Sequence, residues 1–230
     1  MNAFIFDFNG TLVFDTPFHR QAWRQLLQEK TGRSVSDQEF FEHVNGRSND
    51  TIVEHFFGAG MAPGQAEALG LEKEALYRQL CRAAGPAYHL VEGAGALFDR
   101  LQRLGAPFAI ATSSEKTNAD FYFEALGLGR WFGPDNFVYN DGTVPGKPAP
   151  DLYRLACARL GRPPTECVVF EDAPAGIRAA RAAGVSTVIG VNRDAGEGRR
   201  LHQVFGIPVL HTYEGFDPLP YLGQGGGGGQ

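Results

Sequence analysis

Ala3-Phe4-Ile5-Phe6-Asp7-Phe8-Asn9-Gly10-Thr11 is the stretch that decides the fold. Four apolar residues run without alternation into a carboxylate and then a glycine turn. Continuous hydrophobicity marks a strand buried on both faces, as in a parallel sheet. A strand that delivers Asp7 into such a turn is set up to present a nucleophile or a metal ligand at a sheet edge. Gly10 can adopt backbone angles closed to other residues, so amides can converge there on a phosphate. Taken alone, Asp7 reads more economically as a strand-ending acid in an ordinary turn.

Comparable runs recur at residues 107–111, 137–139, 167–170 and 186–189. Helical patterns separate them, at 94–104, 119–126, 151–160 and 175–183, and Gly105, Gly127, Gly161 and Gly184 follow as left-handed stops. Asp120 and Asp151 read as caps or first-turn acids. Strand–helix alternation predicts an α/β fold, a doubly wound parallel sheet. Residues 14–88 break the rhythm, with helical patterns at 18–30, 36–44, 50–57 and 65–84 and no strand. The expected organisation is a Rossmann-like core from 1–13 and 89–222, an inserted α-helical cap at 14–88, and a flexible glycine-rich tail at 223–230. Such an insertion is placed to cover the carboxyl ends of the strands, where ligands bind in these sheets.

The chain has 230 residues, 43% of them apolar, enough for a packed core. A net charge of −5 argues against nucleic acid or an anionic membrane as the main partner. No apolar run reaches the roughly 18 residues that span a bilayer. Met1-Asn2-Ala3 lacks a basic leader. Three scattered cysteines exclude a disulfide framework and fit a reducing cytoplasm, with Cys167 a small core residue. The oligomeric state is left open.

Three further elements each follow an apolar run or a constrained loop. Glu171-Asp172 end the run 167–170, and adjacent buried acids repel unless a cation lies between them. Hard oxygen ligands suit Mg²⁺. Asp172 also reads as a helix cap before Ala173-Pro174. Lys147 stands in an extended loop ahead of Pro148 and can offset charge developing on a phosphate; taken alone it is a solvated loop lysine. Thr112-Ser113-Ser114 follows the run 107–111, and reads as phosphate-binding hydroxyls or as a cap before Glu115.

In that order, these motifs resemble the haloacid-dehalogenase-like hydrolases, specifically the β-phosphoglucomutase-like phosphatase group. The resemblance rests on Asp7-Phe8-Asn9-Gly10-Thr11-Leu12, Thr112-Ser113-Ser114, Gly146-Lys147-Pro148 with Pro150-Asp151, and Phe170-Glu171-Asp172 with Gly176. It implies that Asp7 is the nucleophile and a Mg²⁺ ligand. The Asn9 backbone carbonyl and Asp172 complete the inner ligands, with Glu171 nearby. Thr112 and Lys147 bind the transferring phosphoryl group, and Gly10, Thr11, Ser113 and Ser114 line the substrate site. In the cap, His19 contacts the reacting groups and Arg47 grips a second anionic group of the substrate. Lys73 fits a cap-lysine position loosely and reads more simply as a solvated lysine.

Asn9 departs from the pattern. The family has an aspartate there, which protonates the leaving oxygen and then deprotonates the attacking water or hydroxyl. An amide does neither. Three accounts stand at this point: good leaving groups or His19 as substitute; deamidation or substitution at Asn9-Gly10; a weak or non-catalytic relative. The favoured function is a Mg²⁺-dependent phosphatase acting on a small phosphorylated metabolite, a sugar phosphate, through an aspartyl phosphate. A β-phosphoglucomutase-type mutase and a non-catalytic phosphate-ligand binder are the alternatives.

Overall fold

A computed structural model describes residues 1–44, 49–58, 60–62 and 64–223, without the side chains of 41, 42 and 50. Arg47 and the tail residues 224–230 lie outside the described residues. The chain divides into two compact units, Met1–Phe14 with His89–Gln230, and Asp15–Tyr88.

The first unit is built on a six-stranded, all-parallel sheet. Its strands are β1 (Ala3–Phe6), β2 (Phe108–Glu115), β3 (Phe137–Asn140), β4 (Cys167–Glu171), β5 (Thr187–Val191) and β6 (Val209–Leu210), in the spatial order β3-β2-β1-β4-β5-β6. From β1 the chain builds outward through β2 and β3, then returns to lay β4 on the other side of β1. The crevice between β1 and β4 at their carboxyl ends is therefore the topological switch point.

Both faces of β1 are buried, so its side chains alternate between two cores. Ala3 and Ile5 join Val169, Ile177, Ala180, Tyr153 and Ala156 beneath α7 (Asp151–Arg159) and α8 (Pro174–Ala183). Phe4 and Phe6 face an aromatic layer. Phe6 stacks on Phe170 at 4.7 Å and meets Phe98 of α5 (Ala94–Leu104) edge-on at 5.2 Å. Deleting a ring from such a site costs about 3–5 kcal/mol. These two layers hold the ends of β1 and β4 rigid.

Several sequence expectations need correction. β2 does not stop at 111 but runs through Thr112-Ser113-Ser114 to Glu115. The next helix, α6 (Lys116–Leu126), therefore starts earlier than expected. Asp120 lies inside its second turn, paired with Lys116 at 2.6 Å, and caps nothing. The helix α9 (Ala195–Phe205) and β6 were not anticipated. Two glycines and two arginines dilute the apolar rhythm of the helix, and a two-residue strand carries no period.

The second unit holds α1 (Thr16–Thr31), α2 (Asp37–His43), α3 (Asn49–Phe57) and α4 (Gln65–Ala84). Trp23, Leu26 and Leu27 of α1 pack with Phe40, Val44, Ile52, Val53 and Leu69. Ser36 caps α2, its hydroxyl accepting from the Glu39 N–H at 3.1 Å. Among the described residues, no helix is long and apolar enough to cross a membrane.

Candidate active site

Register brings the acids together. Phe6 pairs with Phe170, and the Asp7 N–H donates to the Phe170 carbonyl at 3.0 Å. Asp7 and Glu171, each one residue further on, therefore stand side by side at the carboxyl ends of β1 and β4. One carboxylate oxygen each from Asp7, Glu171 and Asp172 lie within 4.8 Å of one another.

Asp172 approaches Asp7 because of Gly10. That glycine has φ +77°, and a Cβ on it would fall inside the Asp172 carboxylate. Gly176, in the first turn of α8, does the same for Glu171, whose carboxylate occupies the space a Cβ would need. The reading of Asp172 as a helix cap is corrected: Ala173 is the N-cap residue of α8 and makes no side-chain cap. Instead Glu171 Oε2 accepts from the Ala173 N–H at 3.0 Å. Thr11, fully buried, donates its hydroxyl to Asp172 Oδ1 at 3.5 Å.

Lys147 is no solvated loop lysine. Its Nζ donates to Asp7 Oδ1 at 2.5 Å, Glu171 Oε1 at 2.7 Å and the Ala111 carbonyl at 3.1 Å. The ammonium lies 4.7 Å from the centre of the Tyr153 ring, and the Tyr153 hydroxyl donates to Glu171 Oε1 at 2.8 Å. Burial disfavours the Lys147 charge, but the Asp7 and Glu171 carboxylates outweigh it and hold its pKa above the ordinary lysine value. Burial pushes the Asp7 carboxyl up, Lys147 pulls it down and the Glu171 charge pushes it up again, with a net rise. A cluster of three acids, two of them buried and Asp7 with a raised carboxyl, is one that a divalent cation would relieve.

Thr112 is buried, and its hydroxyl accepts from the Ser114 N–H at 3.1 Å. Ser113 is exposed. Ser114 donates to Asn9 Oδ1 at 2.8 Å, so the Asn9 amide belongs to the same strand-end cluster. Sequence reasoning missed Tyr153 and Tyr122. Tyr153 had a local signal, standing two residues into the helix that follows the Lys147 loop. Tyr122 had none, because only the packing of α6 on β2 and β3, beside the turn that follows β1, brings its hydroxyl 3.0 Å from Asn9 Nδ2.

The helical unit has its own buried polar cluster. Lys73 is 3% exposed, so the solvated reading fails. Its Nζ meets His19 Nδ1 at 2.8 Å and Glu74 Oε1 at 2.8 Å. Asn49 donates to the same Glu74 oxygen at 3.0 Å. His19 stacks on Tyr77 at 3.9 Å, and Tyr77 donates its hydroxyl to the buried Asp15 at 2.5 Å. Burial would raise the Glu74 carboxyl, but Lys73, His19 and the Asn49 hydrogen bond prevail and lower it to about 2.

Comparison with known proteins gives the family. A model of haloacid dehalogenase-like hydrolases matches residues 1–184. The chain belongs to the haloacid dehalogenase-like hydrolases. It is an enzyme of their β-phosphoglucomutase-like phosphatase group. It is 35% identical over 184 residues to the fructose-1-phosphate phosphatase YqaB of Escherichia coli, covering 80% of this chain and 93% of that protein. It is 36% identical over 214 residues to hexitol phosphatase A of the same organism, covering 92% and 91%. A family IA, variant 3 HAD hydrolase from Entamoeba histolytica superposes with a TM-score of 0.88 at 36% identity, covering 96% of this chain and 98% of that one.

Proposed function

We propose that this enzyme hydrolyses a small phosphorylated sugar or sugar alcohol with Mg²⁺, through an aspartyl phosphate on Asp7. The observation that carries the reading is the convergence of three carboxylates within 4.8 Å, with the Lys147 ammonium against two of them. The substrate class is supported by similarity to a fructose-1-phosphate phosphatase and a hexitol phosphatase.

Asp7, Asp172 and the Asn9 backbone carbonyl would hold Mg²⁺, and Glu171 contributes charge while its oxygens accept from Lys147, Tyr153 and Ala173. When bound, the ion supplies positive charge to the phosphoryl oxygens. A carboxylate oxygen of Asp7 attacks phosphorus as the bond to the sugar oxygen breaks. Lys147 offsets the charge that spreads over the phosphoryl group, and Thr112 donates its hydroxyl there. Water then cleaves the acyl phosphate, freeing phosphate and restoring Asp7. Asn9 contributes a hydrogen-bonding amide and no proton, so the leaving oxygen departs without an acid from position 9 and takes its proton from solvent water. In this reading the helical unit would serve as the cap that excludes water, and His19 and Arg47 are its proposed substrate contacts, Arg47 lying outside the described residues.

Mutase chemistry makes heavier use of the missing acid–base, which favours the hydrolase over the mutase. The test is phosphate release from a panel of hexose, pentose and hexitol phosphates, with and without Mg²⁺. Release that needs the ion and disappears in Asp7→Asn is the expected result. Silence across the panel, unrescued by Asn9→Asp, sinks the proposal; glucose 6-phosphate from β-glucose 1-phosphate turns it to the mutase.

A further inference from the structure

Asn9, Ser114 and Tyr122 close a ring of hydrogen bonds at the end of β1. Asn9 Nδ2 donates to the Tyr122 hydroxyl at 3.0 Å, and Ser114 Oγ donates to Asn9 Oδ1 at 2.8 Å. The Tyr122 and Ser114 oxygens lie 3.1 Å apart, so the tyrosine proton completes the circuit. Each hydroxyl can donate or accept, so the circuit closes with the amide in either orientation and holds Asn9 in the ring both ways. Tyr122 cannot swing away. It is fully buried, and its ring stacks on Phe8 at 4.0 Å between centroids and 14° between planes.

Asn9 precedes a glycine, and this dipeptide is chemically labile. The Gly10 nitrogen, once deprotonated, bonds to Asn9 Cγ; the Cγ–Nδ2 bond breaks and ammonia leaves. Water then opens the imide to aspartate or isoaspartate. Glycine favours the attack because no Cβ hinders the approach. The fold opposes it twice. Cyclisation must turn the amide out of its ring, and the Gly10 N–H must leave the Val13 carbonyl, to which it donates at 2.8 Å.

We propose that Ser114 and Tyr122 form a clamp that keeps position 9 an amide by holding Asn9 away from cyclisation onto Gly10. The clamp thereby governs whether the site carries an amide or a carboxylate, and that consequence for turnover rests on the function proposed above.

The test incubates wild type, Tyr122→Phe, Ser114→Ala and Ser114→Thr at mildly alkaline pH, then maps aspartate and isoaspartate at position 9 by peptide mass spectrometry. Wild type in urea gives the unclamped rate, and circular dichroism follows folding. Expected are slow conversion in folded wild type, conversion about tenfold faster in Tyr122→Phe and Ser114→Ala from the loss of one hydrogen bond, and a rate near wild type in Ser114→Thr. Should one variant unfold, the other still decides. The clamp is overturned if folded wild type converts as fast as in urea, or if the folded variants convert no faster than wild type. Phosphate release by Tyr122→Phe should climb as aspartate accumulates. Conversion without that climb leaves the clamp standing and counts against the assigned role of position 9.

Discussion

An amide at position 9 neither gives nor takes a proton, so the leaving oxygen departs without a built-in acid. General acid–base catalysis is worth about 10²–10⁴ in rate. Asn9→Asp is therefore expected to raise kcat by about that factor, read in steady-state phosphate release. Lys147 works in the opposite sense. All three of its N–H groups are committed, to Asp7, Glu171 and the Ala111 carbonyl. Lys147→Met removes the charge but keeps the length of the chain. A loss of about 10²–10³ in kcat is expected, as for other removed electrostatic stabilisers, with tighter dependence on added Mg²⁺ because two carboxylates lose their counter-charge.

At the scale of elements, the site depends on close approach between strand ends and the turns that follow. Gly176 lets the first turn of α8 lie against the Glu171 carboxylate. Gly176→Ala should push Glu171 off Lys147 and Tyr153, destabilising the fold by about 1–3 kcal/mol, the usual range for forced overpacking. Gly129→Ala is the control, since open space surrounds that position; its urea midpoint should stay close to wild type. Equal midpoints for the two variants would mean that the turn relaxes without cost. The same elements explain what sequence pattern reached and what it missed. Strands β1 and β4 are runs of buried apolar residues and are legible as such. The carriage of β2 through Thr112-Ser113-Ser114 is not, because hydroxyl residues at a strand end carry no burial pattern.

Across the whole molecule, stability against acid is expected to follow the buried Glu74. Its folded pKa of about 2 lies below the ordinary glutamate value of 4.5, because Lys73 and its other partners favour the charged form. A lowered carboxylate contributes stability fully above its unfolded pKa, and that contribution drains away as pH falls from about 4.5 toward 2. A shift of this size corresponds to about 3 kcal/mol. Glu74→Gln should flatten that stretch of the stability–pH curve measured by denaturant titration, and lower stability at neutral pH by stranding the Lys73 ammonium. A variant curve parallel to wild type between pH 2 and 5, on the order of the window above, would count against this assignment.

Local chemistry along the chain determined the strand-and-helix rhythm, the doubly wound sheet and the acids at strand ends. Those features follow from which residues water excludes and which it keeps. Only the tertiary structure decided that Lys147 spends its protons on Asp7 and Glu171, that Lys73 is buried against Glu74, and that Tyr122 and Ser114 enclose Asn9. Each of these depends on pairing between residues far apart in sequence, fixed by sheet register and helix packing. A lysine or tyrosine carries no mark of its future partner until the chain folds.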